Sequence, residues 1–223
     1  METGRQEEHE TMRIFRKLLL GVLLSVWLGA GCGHSLSYTV EPELLQRLPK
    51  KSRRSVFQAR TVVTIAIDRL SSIRRQIDGT RRDIDRIKER VDKIEKELGN
   101  AGPRESQRLR GEIDVLDARQ EYLEHKIEFL EEKLDVAEDE LLLAKGQFEL
   151  AKVRLVKKHS IAFDGDEADF VEQVEDLQQK VNERRKDLER DEAELKRQEQ
   201  KWLAVKKRFY SSIGESSKGW WTE

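Results

Sequence analysis

Apolar residues at seven-residue spacing run along most of this chain, and they constrain its fold more than any other feature. The first run fills the a and d positions of a heptad pattern with Val56, Ala59, Val63, Ala66, Leu70, Ile73, Ile77, Thr80, Ile84, Ile87, Val91, Ile94 and Leu98. The second run comprises Leu109, Ile113, Leu116, Gln120, Leu123, Ile127, Leu130, Leu134, Ala137, Leu141, Ala144, Phe148, Ala151 and Leu155. Gly99, Gly102 and Pro103 lie between the runs, and these residue types end helices. The pattern therefore predicts an all-α fold with long helices at about 55–99 and 105–160.

The register of the two helices can be tested by folding the chain back at the break. In an antiparallel coiled coil a positions face d positions, so partners should have residue numbers that add to 207. Near the turn this pairs Ile77 with Leu130 and other large residues with each other, whereas farther away Leu70 faces Ala137. Pairing of each helix with a separate chain would not explain why large residues fall opposite small ones. The sequence therefore predicts an antiparallel hairpin within one molecule.

A third long helix is predicted at about 167–210, packed on the second. The second helix carries another apolar stripe, and the third offers a stripe of its own: Val115, Tyr122, Phe129, Val136, Leu143 and Leu150 against Val174, Val181, Leu188, Leu195, Trp202 and Phe209. Partners whose numbers add to 324 place Trp202 against Tyr122. A full seam would need a second apolar row on the third helix, but the positions of that row hold the polar residues Arg184, Asp191 and Gln198. The third helix therefore has a single apolar ridge. This helix could therefore be completed by a partner or by a second copy.

Composition argues for solvated helices and against several classes of function. Charged residues make up 39% of the chain, and 43 basic against 44 acidic residues give a net charge of -1, which disfavours nucleic-acid binding. His125 and His159 have no neighbouring nucleophile in the pattern, so a catalytic role and a cofactor are not expected. The acidic group Asp164, Asp166, Glu167 and Asp169 lacks the spacing of a calcium loop, and a helix cap is the simpler interpretation.

An export signal precedes the helical region. From Met12, which we take as the true start, basic residues lead into an apolar run at 18–30 that would extend only about 20 Å as a helix, too short to span a bilayer. Residues 28–32, LGAGC, then end at Cys32, the single cysteine of the chain.

This segment resembles the lipobox of bacterial lipoproteins, although Gly29 stands where an aliphatic residue is common. The resemblance implies cleavage of residues 1–31 and acylation of Cys32. Gly33 after the cysteine implies transfer to the outer membrane, facing the periplasm. The alternatives are an ordinary thiol after a standard signal peptide and an uncleaved anchor.

Two segments flank the rod predicted at 56–212. Residues 32–55 resemble a tether with a basic cluster formed by Arg47, Lys50, Lys51, Arg53 and Arg54. That cluster could contact anionic head groups or acidic cell-wall polymer, or it could be a solvated linker. The tail 213–223 carries Trp220 and Trp221, which are either a docking motif for a partner or an end that folds back on the rod.

These features together predict a non-enzymatic lipoprotein of the cell envelope. Its coiled coil would act as a spacer, tether or adaptor between the membrane and a protein partner or the cell wall. The alternative is a binding module for cell-wall polymer or for a secretion or efflux component.

Overall fold

The computed structural model describes residues 36–46 and 48–213. A short helix α1 (Pro42–Gln46) and a 3₁₀ turn (Lys50–Arg53) precede three long helices: α2 (Arg54–Leu98), α3 (Pro103–Lys158) and α4 (Glu167–Ile213). The described residues contain no β-strand. The predicted all-α architecture is therefore confirmed, and its helices begin and end within a few residues of the predicted bounds.

The turn between α2 and α3 lies at the predicted break. Gly99 keeps a helical φ of -61°, and the turn tightens because the Asn100 N–H donates to the Glu97 carbonyl over 3.1 Å. Pro103 starts α3 at a position where no amide donor is required, and the Gly102 carbonyl accepts the Ser106 N–H over 2.8 Å. This turn forms what we call the distal tip of the rod.

The interface of α2 and α3 has the predicted antiparallel register. Its two continuous apolar clusters hold Ile84, Ile87, Ile94, Leu109, Leu116 and Leu123 near the tip, and Leu70, Ile73, Ile77, Leu130 and Ala137 farther along. Four ion pairs cross the interface: Arg69–Glu140, Arg74–Glu138, Arg81–Glu131 and Arg90–Glu112. Their residue numbers add to between 202 and 212, which brackets the predicted 207.

The two polar residues of this seam are satisfied within their own helices. The buried Thr80 hydroxyl donates to the Gln76 carbonyl over 2.9 Å, and Gln120 donates to the Glu124 carboxylate over 2.8 Å. Neither residue needs a hydrogen-bond partner on the facing helix, so both are tolerated in an apolar seam.

Helix α4 packs on a second face of α3, as predicted. Tyr122 and Trp202 stack with ring centroids 5.5 Å apart and planes 8° from parallel, which matches the predicted pairing. Arg184 is one of the polar residues beside the apolar ridge of α4. Its Nε lies 3.0 Å from Asp139 and its Nη1 lies 3.4 Å from Asp135. The apolar ridge of α4 is thus supplemented by ion pairs.

Carboxylates of the central helix α3 bind the cations of both neighbours. Glu140 lies 2.5 Å from Arg69 of α2 and 2.6 Å from Arg185 of α4, with only 11% of its side chain exposed. Asp139 lies 2.8 Å from Lys180, and 7% of its side chain is exposed. Exposed ion pairs contribute little, but a carboxylate this buried is costly without its cation. These pairs therefore favour the observed packing over other registers.

Two glycines provide a test of how closely α4 approaches α3. A Cβ at Gly111 would lie 2.7 Å from the Phe209 ring, whereas a Cβ at Gly79 of α2 would come no closer than 3.9 Å to a side-chain atom of Arg82. Gly79→Ala should raise the free energy of unfolding by about 1 kcal/mol because alanine favours the helix. Gly111→Ala should raise the free energy of unfolding by less, or lower it, because the Phe209 ring must move to make room for the methyl group. Urea denaturation of both variants measures this, and equal gains would contradict the contact of Phe209 with Gly111.

Candidate functional site at the proximal end of the rod

The end opposite the tip is where residues 36–53 fold onto the long helices, and we call this segment the strap. Its Val40 and Leu48 are 2% and 3% exposed, which shows that the strap is part of the core. They join a cluster that contains Val56, Leu150, Val153, Leu155, Val156 and Phe170. The strap thus occupies most of the stretch that the sequence assigned to a tether.

Hydrogen bonds hold the first residues of the strap against the long helices. Gln173 of α4 accepts the backbone N–H groups of Ser37 and Tyr38 over 2.8 and 3.0 Å. The buried Glu149 of α3 accepts the Val40 N–H over 2.8 Å and lies 2.5 Å from the Lys152 ammonium. The strap is therefore tied to both α3 and α4.

The strap encloses the last part of α3, which has α2 and α4 on two other sides. Its buried residues consequently extend beyond the two predicted stripes and include Leu142, Gly146, Glu149, Lys152, Val153 and Val156. Gly146 lies beneath Leu36, Val174 and Leu177, whose side chains would be 3.2 to 3.8 Å from a Cβ there. The strap and α4 approach α3 closely at this point.

The basic cluster that the sequence singled out is divided by the fold. Arg53 uses its guanidinium within the strap, where it donates to the Leu48 carbonyl over 2.6 and 3.1 Å and to the Gln46 carbonyl over 3.1 Å. Arg54 is exposed at the start of α2. Arg47 and the side chains of Lys50 and Lys51 lie outside the described part of the chain, as do Cys32, Trp220 and Trp221.

The acidic group between α3 and α4 has capping and pairing roles. Asp166 accepts the Ala168 N–H over 3.2 Å and lies 3.4 Å from the Lys157 ammonium, and these two interactions lower the pKa of Asp166. Glu167 lies 2.9 Å from Arg154. Within residues 36–46 and 48–213, no group of three His, Cys, Asp or Glu side chains could hold a metal ion.

Two of the four histidines, His125 and His159, are in the described part of the chain and lie on α3 or next to it. The His125 Nδ1 is 2.9 Å from the exposed Glu128 carboxylate. His159 follows the last turn of α3, where its backbone N–H donates to the Leu155 and Val156 carbonyls. Neither arrangement brings a histidine to a nucleophilic side chain.

A groove of about 1080 Å³ lies at the distal tip, where α4 ends. Arg104, Arg108, Arg110, Phe209 and Ile213 are among the residues that line it. Arg108 donates to Glu105 over 2.6 Å, and this hydrogen bond lowers the pKa of Glu105. The lining also includes the carboxylates Glu105 and Asp114, so the groove carries charges of both signs beside its apolar residues. The predicted docking residues Trp220 and Trp221 follow α4 in the sequence.

Four exposed apolar side chains of α2 were missed at the sequence level. Phe57, Val62, Ile65 and Ile67 are 57%, 47%, 61% and 47% exposed. Phe57 and Ile65 lie on the outer side of α2, whereas Val62 and Ile67 flank the seam on opposite sides, since five residues turn a helix by about 140°. They lie outside the heptad seam, so the search for seam positions passed over them. Their signal in the sequence is charge: residues 53–67 contain three arginines and no acidic residue.

Hydroxyl groups near these side chains are turned back onto the helix. The Thr61 hydroxyl donates to the Phe57 carbonyl over 3.0 Å and the Thr64 hydroxyl to the Arg60 carbonyl over 3.3 Å. Such bonds satisfy the hydroxyls within the helix.

No protein-family model, curated protein or solved structure matches this chain. None of the helices in the described ranges combines the length and apolar character that crossing a membrane requires.

The role of Glu149 in fixing the strap can be tested with Glu149→Ala. This change should lower the free energy of unfolding by about 3 kcal/mol, because it leaves Lys152 and the Val40 N–H without their buried acceptor. Hydrogen exchange should accelerate at Val40 more than in the seam of α2 and α3. Glu175→Ala, at an exposed position of α4, is the matched control and should change neither quantity. Unchanged exchange at Val40 in Glu149→Ala would contradict the proposed role.

Proposed function

We propose that this chain is a non-enzymatic lipoprotein of the bacterial cell envelope, anchored through acylated Cys32, with the coiled coil as a spacer, tether or adaptor. The observation that carries the proposal is the position of Cys32, which ends a lipobox-like segment four residues before the first described residue, Leu36. A lipid at this site would be joined almost directly to a rigid rod.

The dimensions of the rod support a role that depends on reach. With 56 residues, α3 is about 84 Å long at a rise of 1.5 Å per residue. Both α2 and α4 pack along it in continuous interfaces, so the helices resist bending together. The tip groove and Ile213, the last residue of α4, then lie at the end far from the strap, where a protein partner or the cell wall could be contacted.

The adaptor proposal is favoured over a catalytic one by the chemistry of the described residues. The buried carboxylates Glu112, Asp139, Glu140 and Glu149 each face an arginine or lysine of the same rod. Buried charges at these positions therefore support helix packing.

Labelling with a radioactive or clickable fatty acid in the native host tests the anchor. The wild-type chain should incorporate the label and partition with the membrane fraction, whereas Cys32→Ala should lose the label. Ser37→Ala, a nearby change that keeps the backbone N–H bonded to Gln173, is the matched control and should label normally. A wild-type chain that carries no label would overturn the proposal of a lipid anchor.

Photocrosslinking in living cells then separates the adaptor from the alternative. A crosslinker at Arg104 in the tip groove should yield one dominant protein adduct if the rod is an adaptor. Co-sedimentation of the purified protein with cell-wall sacculi, without a dominant adduct, would favour the polymer-binding alternative.

A further inference from the structure

The side of α3 that packs against α4 continues past the last described residue of α4. In the antiparallel register that places Tyr122 on Trp202, Ile213 is level with Gly111. Helix α3 begins eight residues before Gly111, at Pro103. About 12 Å of α3 therefore extends beyond Ile213 toward the distal tip.

The tip groove is the continuation of the surface on which α4 packs. Arg104 and Gly111 are seven residues apart, as are Arg108 and Val115, so each pair lies on one side of α3. The Phe209 ring of α4 lies against Gly111, and Val115 is 1% exposed. The two arginines line the groove of about 1080 Å³. A segment that continued from α4 would meet this groove first.

The lining of the groove combines apolar surface with charges of both signs. Phe209 and Ile213 provide apolar surface at the end where α4 stops. Three basic and two acidic side chains line the rest, which gives the lining a net charge of +1: Arg104, Arg108, Arg110, Glu105 and Asp114. Guanidinium groups stack on aromatic rings as well as binding carboxylates. The groove therefore suits a segment that carries aromatic rings and a small negative charge.

The ten residues after Ile213 have this composition. Residues 214–223, GESSKGWWTE, lie outside the described part of the chain. They contain Trp220 and Trp221, and two acidic residues against one basic residue give them a net charge of -1. A tryptophan side chain can bury roughly 150 to 250 Å². The aromatic content and the charge of this segment are thus complementary to the groove.

The covalent connection favours this segment over other occupants. Ile213 itself lines the groove, so the next residue is attached at its edge. Six residues separate Ile213 from Trp220, and an extended chain spans them in about 20 Å, more than the roughly 12 Å of α3 that extends beyond Ile213. A short connection gives an effective concentration in the millimolar range, which a second copy or a separate partner does not reach in dilute solution.

We propose that residues 214–223 bind in the tip groove of their own molecule. Trp220 and Trp221 pack against Phe209 and stack on the guanidinium group of Arg104. A protein partner that uses the groove must then displace this segment, so the segment controls access to the distal tip. The inference goes beyond the proposed function and does not depend on the lipid anchor.

Quenching of a bimane label by tryptophan tests the proposal, because this quenching needs close contact. In the full chain with Cys32→Ala, Gln107→Cys places a single thiol in the lining of the groove. Replacing both tryptophans, Trp220→Phe with Trp221→Phe, should raise the fluorescence of this label severalfold. Trp202 does not interfere, since its partner Tyr122 is fifteen residues from Gln107, about 22 Å along α3.

The matched control carries the same label at Arg75→Cys, an exposed position of α2 far from the tip. Its fluorescence should not change when the two tryptophans are replaced. Equal fluorescence at Gln107→Cys with and without the tryptophans would overturn the proposal and leave the groove to a partner. Quenching that grows with protein concentration would also overturn it, because a second copy would then supply the tryptophans. A failure of the lipid anchor leaves these results unchanged, since the chain tested carries no acyl group.

Discussion

Everything in this structure depends on the apolar seam that joins α2 to α3 in antiparallel register. A buried leucine or isoleucine contributes about 1.5 to 3 kcal/mol relative to exposure, and the seam contains a row of them from Leu70 to Leu123. A register shifted by one position would expose this row and bury charged neighbours. The seam therefore determines the length of the rod, the position of the distal tip and the face of α3 that remains for α4.

Electrostatics adds selectivity to this packing. Most carboxylates that bridge between the long helices belong to α3, and most of the matching cations belong to α2 and α4. Glu140 joins all three helices because it contacts both Arg69 and Arg185. A central helix with acidic edges and neighbours with basic edges disfavours association of two copies of the same helix, since like charges would meet.

The sequence predicted the parts of the fold that repeat. Heptad spacing was sufficient for the three long helices, for the register of Ile77 and Leu130, and for the pairing of Tyr122 with Trp202. It could not predict the strap, because a short segment with Pro42 and Pro49 has no periodicity that marks a buried side. Helix α3 also ends before the predicted bound at about residue 160, because Ser160 adopts a left-handed φ of 52°. Sequence patterns associate that conformation with glycine.

The candidate site was less predictable than the fold for the same reason. The basic cluster was visible as composition, but only the structure reveals that Arg53 is committed to backbone carbonyls of the strap. The exposed apolar side chains of α2 were hidden because they fall between the seam positions.

A disulfide across the seam tests the hairpin most directly. In the Cys32→Ala background, Ile77→Cys and Leu130→Cys together should form an intramolecular bond in dilute monomer under mild oxidation. A control pair, Ile77→Cys with Leu203→Cys, should remain reduced. A protein that crosslinks only between molecules, or does not crosslink, would contradict the antiparallel hairpin on which the rod and the strap rest.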